Sequence, residues 1–298
     1  MALPISLIKA FWDFDKKMDA ARLAKQTYPD TLTEVLDIPY VDDGEKYHKL
    51  DVYYPRDMKQ GQKLPVIIDI HGGGWFYGDK ELNKNYCLHL AERGFVVFGI
   101  SYRLVPDVLV ADQLRDCMLA LKYIAKHLSD YPCNKSRIYL TGDSAGGQLA
   151  GYVAAATVSK RVREVFDLVD PKLHISAVSL VSPCPYLEPA GLMKPYMIHV
   201  VGKKWKKQPY ARYLDFDRVV KSTKGKYPPT IIFTSFMDVI AKGQSRNAYK
   251  ALRANGTKVK FDTKFKPSLN HVYQVLEPDI PDSVKAIDKM VAFFGKNK

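Results

Sequence analysis

Ser144 is the residue of this chain best placed to act as a nucleophile. It lies in Gly142-Asp143-Ser144-Ala145-Gly146-Gly147, after the apolar run Ile138-Tyr139-Leu140 and before the helix-like Gln148-Leu149-Ala150-Gly151-Tyr152-Val153. A serine hydroxyl attacks poorly until a turn exposes it and a base takes its proton. The strand–turn–helix setting gives the G-x-S-x-G pattern its meaning, and the glycines let the chain reverse sharply.

Upstream, the strand-like Leu64-Pro65-Val66-Ile67-Ile68-Asp69-Ile70 runs into His71-Gly72-Gly73-Gly74-Trp75. Three glycines after a buried strand let backbone N–H groups approach a substrate closely. The amides of Gly73 and Gly74, with that of Ala145 after the nucleophile, are therefore the candidate donors to a developing oxyanion. A base and its orienting carboxylate are expected later, in the order Ser, Asp, His. Asp238 follows the strand-like Thr230–Phe236. Of the seven histidines, only His271 lies in a loop beyond the last strand-like segment, Val259–Phe265, with a helix following. His271 is the candidate general base and Asp238 its partner. Trp75 and Cys184, the latter leaving the segment Val181-Ser182-Pro183, are expected to line the substrate pocket. His71 is expected to brace the glycine loop through its ring nitrogens.

On the H-G-G-G-W and G-D-S-A-G-G segments, the chain resembles the hormone-sensitive-lipase-type branch of the α/β-hydrolase esterases. The resemblance runs from about Thr33 to the C-terminus, with further support from Ser101-Tyr102-Arg103-Leu104 and Val181-Ser182-Pro183. It implies an α/β-hydrolase fold: a mostly parallel central sheet flanked by helices, with a small helical cap. It also implies hydrolysis of small-molecule carboxylic esters, usually of short acyl chain, through a Ser-His-Asp triad and an acyl-enzyme, with no cofactor and no metal. Three departures stand out. Val105-Pro106-Asp107 replaces the usual Ala-Pro-Glu, Val239-Ile240 follows Asp238 in place of Pro-Leu, and Val272 stands where a glycine commonly follows the histidine. The motifs leave open a carbohydrate acetyl ester or an arylformamidase-like amide as the bond cleaved. A non-catalytic small-molecule receptor is the alternative from a different class.

The 298 residues suffice for one large domain, and an apolar fraction of 47% excludes a disordered chain. No apolar run reaches the ~18 residues of a membrane span, and the N-terminus lacks the pattern of a signal peptide. Cys87, Cys117, Cys133 and Cys184 show no metal-ligand spacing and read as reduced thiols, so a cytoplasmic location is expected. The net charge of +13, densest at Lys203-Lys204-Trp205-Lys206-Lys207, raises the question of a nucleic-acid partner. No nucleic-acid fold signature accompanies it, and none is expected.

The elements that must position these residues are legible from periodicity. Residues 1–30 are expected to be helical and, as the resemblance implies, to form N-terminal cap helices; residues 31–298 are expected to form the catalytic domain, with a cap insertion at about 185–215. Leu7, Phe11, Phe14, Met18 and Ala21 recur at helical spacing, and this apolar face is expected to dock against the body of the protein. Thr33–Tyr54 reads as an antiparallel start to the sheet. From Leu64 onward strands and helices alternate, which implies parallel βαβ units and a site at the strands' carboxyl ends. The resemblance also allows a homodimer paired through the last strand, Lys258–Phe265.

Overall fold

The computed structural model describes residues 2–297. Among these residues, eight strands form one sheet: β1 (Leu32–Pro39), β2 (Lys49–Pro55), β3 (Leu64–Ile70), β4 (Val96–Ile100), β5 (Cys133–Asp143), β6 (Ala177–Val181), β7 (Thr230–Ser235) and β8 (Val259–Lys264). Their spatial order is β1-β2-β4-β3-β5-β6-β7-β8. β2 runs antiparallel to both β1 and β4, and every pairing from β4 to β8 is parallel. This is the α/β-hydrolase fold expected from the sequence.

Among the described residues, ten α-helices accompany the sheet: α1 (Ile5–Leu23), α2 (Lys84–Glu92), α3 (Val110–His127), α4 (Ser144–Val158), α5 (Lys160–Phe166), α6 (Lys194–Val201), α7 (Phe216–Lys221), α8 (Lys242–Ala254), α9 (Tyr273–Leu276) and α10 (Pro281–Gly295). Alternation along the strands sorts the core into two layers, because successive strand side chains point to opposite faces. Val66, Ile68, Val96 and Phe98 pack with Leu114 of α3, Leu149 of α4 and Leu252 of α8. Ile67 and Val97 pack on the other face with Tyr86 and Leu90 of α2 and Met290 and Phe294 of α10. A sheet covered on both faces gives strands that are apolar throughout, which explains the continuous runs at β3 and β4.

Between β6 and β7, where a cap insertion is expected, the chain leaves the alternation, and α6 is flanked by short turns of 3₁₀-helix at Gly191–Met193, Trp205–Lys207 and Ala211–Leu214. The N-terminal segment supplies one helix, α1. No helix among the described residues is long and apolar enough to cross a membrane.

The orientation of α1 differs from the expectation. Leu7, Phe11, Phe14 and Met18 are 57–64% exposed, while Ile8 is buried and Trp12 half-buried against the body. Successive helical residues point about 100° apart, so seating Ile8 and Trp12 turns the stripe of Leu7, Phe11, Phe14 and Met18 outward. Trp12 wins the docked position because its ring stacks on Tyr77 (centroids 5.6 Å apart) and its Nε1 donates to Tyr196 Oη at 3.2 Å.

Candidate active site

Ser144 opens α4 immediately after β5 with φ +52°, a left-handed conformation that an ordinary residue adopts under strain. Neighbouring glycines make the turn feasible. A Cβ on Gly146 would collide with the carbonyl oxygens of Ile70 and His71, so α4 approaches the end of β3 as closely as only glycine permits. Asp238 lies three residues past β7, and His271 in the loop between β8 and α9. The structure brings the three together. His271 Nε2 lies 2.8 Å from Ser144 Oγ, and His271 Nδ1 lies 3.0 Å from Asp238 Oδ1. A carboxylate at Nδ1 makes that nitrogen the N–H, leaving Nε2 to accept from the serine hydroxyl.

Asp238 is fully buried, and burial pushes its carboxyl upward. The hydrogen bond and charge of His271, together with hydrogen bonds from Ser182 and the Ala241 amide, outweigh that and hold it below the usual carboxylate range. The Ile240 and Ala241 amides also donate to Oδ1, and Thr234 Oγ1 donates to Oδ2. Val272, directly after His271, is buried yet held at φ +49°. That is the left-handed region glycine prefers, and here a branched residue occupies it.

The glycine loop is fixed from several sides. Gly73 and Gly74 have φ +102° and +55°, and a Cβ on either would collide, with the Tyr77 carbonyl at Gly73 and with the Trp12 ring at Gly74. The Gly73 carbonyl accepts from the Phe76 and Tyr77 amides, and the Gly74 carbonyl from Tyr196 Oη at 2.6 Å. Neither the Gly73 nor the Gly74 amide has a backbone acceptor among the described residues. Ala145 lies in the first turn of α4, where helix amides have no intrahelical partner. His71 donates from Nδ1 to the Gly72 carbonyl at 2.8 Å and stacks on Tyr102 at 4.3 Å. Burial pushes its pKa down to about 4, so the ring is neutral.

Trp75 takes a different position from a pocket wall. Its indole is buried in the core and donates to Gln148 Oε1 at 2.9 Å. Cys184 lies beside the serine, its amide donating to the Ser144 carbonyl at 3.2 Å. Burial first, then the nearby Asp238 charge, push its thiol up to about 12, so it is no nucleophile at neutral pH. No group of three or more His, Cys, Asp or Glu residues that could hold a metal ion occurs among the described residues.

Three neighbours escape sequence reasoning. Tyr196 of α6 and Trp12 of α1 hold the Gly74 loop, and nothing in their local sequence marks them except aromatic character. Asn83 is buried between two carboxylates, donating to Asp69 Oδ2 at 2.9 Å and Asp143 Oδ1 at 2.8 Å. Burial raises Asp69 to about 8, helped by the charge of Asp143, and raises Asp143 to about 6.

The chain is similar to known esterases. Residues 50–251 match the family model described as BD-FAE. Esterase B from Lactobacillus rhamnosis superposes with a TM-score of 0.90 at 30% identity, over 98% of this chain and 94% of that one. A structure titled "Bacterial Heroin Esterase" shares the fold with a TM-score of 0.73 at 21% identity, over 100% of this chain and 94% of the other. A "Probable carboxylic ester hydrolase LipM" of Mycobacterium tuberculosis is 28% identical over 73% of this chain and 51% of its own length. A "Probable isoprenylcysteine alpha-carbonyl methylesterase" of Arabidopsis thaliana is 25% identical over 72% of this chain and 46% of its own. The chain thus spans about half the length of the curated relatives it matches.

Proposed function

The chain belongs to the BD-FAE family, and from that premise we propose that it is a serine carboxylic ester hydrolase acting on small-molecule esters of short acyl chain. The observation that carries this reading is the unbroken hydrogen-bond chain Ser144–His271–Asp238 beside a glycine loop with two uncommitted amides. The H-G-G-G-W and G-D-S-A-G-G segments support the narrower kinship with the hormone-sensitive-lipase-type esterases.

In the proposed reaction, Ser144 Oγ attacks the ester carbonyl carbon while its proton passes to His271 Nε2. Asp238 keeps the imidazole in the tautomer that accepts this proton and stabilises the cation that forms. The carbonyl oxygen, now an oxyanion, is received by the amides of Gly73, Gly74 and Ala145. Such donors are worth about 3 kcal/mol each because they are fixed before the charge appears. The carbon–oxygen bond to the alcohol then breaks, and the alcohol leaves with the proton held on His271. Water repeats the sequence on the acyl-enzyme, releasing the acid and restoring Ser144. The four buried free cysteines support a reducing, cytoplasmic setting.

Turnover of p-nitrophenyl esters from acetate to palmitate, with Ser144→Ala protein as blank, tests the reading. Hydrolysis of the short members, absent from the variant, is expected. Equal hydrolysis by folded wild-type and Ser144→Ala protein would overturn it, as would none by either.

A further inference from the structure

The face of the molecule that carries Ser144 also carries apolar surface that the fold leaves uncovered. α1 lies over the glycine loop, with Trp12 against Gly74, and presents Leu7, Phe11, Phe14 and Met18 outward. At 1.5 Å per residue this stripe is about 17 Å long. It continues into the cap. The Leu3 amide donates to the Pro195 carbonyl at 3.1 Å, and the Leu3 carbonyl accepts from His199 Nε2 at 2.7 Å. Just before Lys194 and Pro195, Leu192 and Met193 are 99% and 56% exposed.

The cap segment next to this apolar surface carries charge of one sign only, whereas α1 itself mixes Lys9, Lys16, Lys17 and Arg22 with Asp13, Asp15 and Asp19. Between Glu188 and Asp215 the chain carries Lys194, Lys203, Lys204, Lys206, Lys207 and Arg212 and no acidic residue. The five lysines are all exposed, and Trp205 packs beneath the Lys206 ammonium at 5.5 Å from its ring centroid. An apolar helical stripe beside an unrelieved cationic segment complements a surface that is oily within and anionic at its boundary. A nucleic acid would use the lysines but leave the stripe uncovered. A second copy of this chain would bring the same positive charge against itself.

We propose that α1 and the cap dock on an anionic phospholipid surface, with Leu7, Phe11, Phe14 and Met18 among the acyl chains and the cap lysines against the head groups. Docking would turn the end of the sheet that carries Ser144 toward the phase in which sparingly soluble esters reside. The inference goes beyond the esterase reading, and its primary readout is binding, so the two can fail separately.

The test is co-sedimentation of the full chain with vesicles of phosphatidylcholine alone, or of phosphatidylcholine mixed equally with phosphatidylglycerol. Wild-type protein should pellet with the mixed vesicles only, and about 0.5 M sodium chloride should weaken the binding. Phe11→Ser/Phe14→Ser protein should bind at least about tenfold more weakly. A second variant with Lys203, Lys204, Lys206 and Lys207 each changed to Ser should lose the preference for anionic vesicles. Both variants should retain wild-type circular dichroism and p-nitrophenyl acetate turnover. Wild-type protein left in the supernatant with both vesicles overturns the proposal. So does undiminished binding by the folded Phe11→Ser/Phe14→Ser variant. A dimer in sedimentation that this variant breaks, without any vesicle binding, assigns the stripe to a second copy and also overturns it.

Discussion

The Asp143 carboxylate occupies the space that a side chain on Gly72 would need, and accepts the Gly72 amide in its place. The residue before the nucleophile thereby holds the start of the glycine loop, locking Ser144 and its proposed oxyanion donors to one another. Its other oxygen accepts from Asn83, so both acceptors are in use. Asp143→Asn puts an amide donor where a donor already points, which costs about 1–3 kcal/mol for a buried group left unpaired. We expect lower urea stability together with a fall in kcat that exceeds any rise in KM, both measurable on p-nitrophenyl acetate.

Ser144→Ala and His271→Ala should each reduce kcat/KM by about 10⁴-fold or more, because residues that act as a unit lose nearly everything together. Asp238→Asn should cost about 10³–10⁴-fold. It keeps an oxygen for the Ile240 and Ala241 amides, so its thermal unfolding should stay close to wild type. Steady-state kinetics alongside circular dichroism separates chemistry from folding in all three.

Tyr196→Phe removes the hydroxyl that donates to the Gly74 carbonyl and accepts from Trp12. Losing a hydrogen bond of about 1 kcal/mol from the loop corresponds to a five- to tenfold loss of roughly that size in rate. The decrease is expected in kcat for soluble short-chain esters, with the far-ultraviolet spectrum unchanged.

The Asp69 carboxyl gives a pH-dependent prediction. Its folded pKa is raised by burial and then by the charge of Asp143, to about 8, against about 3.9 in an unfolded chain. Between those values the folded protein binds a proton that the unfolded chain has released, so raising the pH favours unfolding. The loss of stability accumulates from about pH 4 to about pH 8 and then levels off. Asp69→Asn cannot ionise. Its stability relative to wild type should grow between pH 5 and pH 8 by about 3–4 kcal/mol. Urea midpoints at both pH values measure this, and parallel curves for the two proteins would refute it.

Much of the architecture was readable because buried parallel strands leave continuous apolar runs, as at Val66–Ile70 and Val96–Ile100. The glycines at 72–74 and 142–147 mark close approaches that few other residues survive. Periodicity also located α1, but it could not say which of two adjacent faces would dock. That choice depends on Tyr77 and Tyr196, residues far away in sequence. Trp75 shows the same limit, since Gln148 draws its indole inward. The buried Asp69–Asn83–Asp143 array was invisible for a related reason: polar residues carry no periodic signature, and their partners are set only by the fold.

Val272 has a consequence for how activity fails. Its backbone sits at angles a branched residue adopts reluctantly, and the burial of its side chain is what keeps it there. The imidazole of His271 is therefore clamped by packing rather than by the chain's own preference. Warming or mild denaturant that frees this one side chain would let the backbone relax and swing the histidine away from Ser144. The protein should then fall silent while its sheet is still intact.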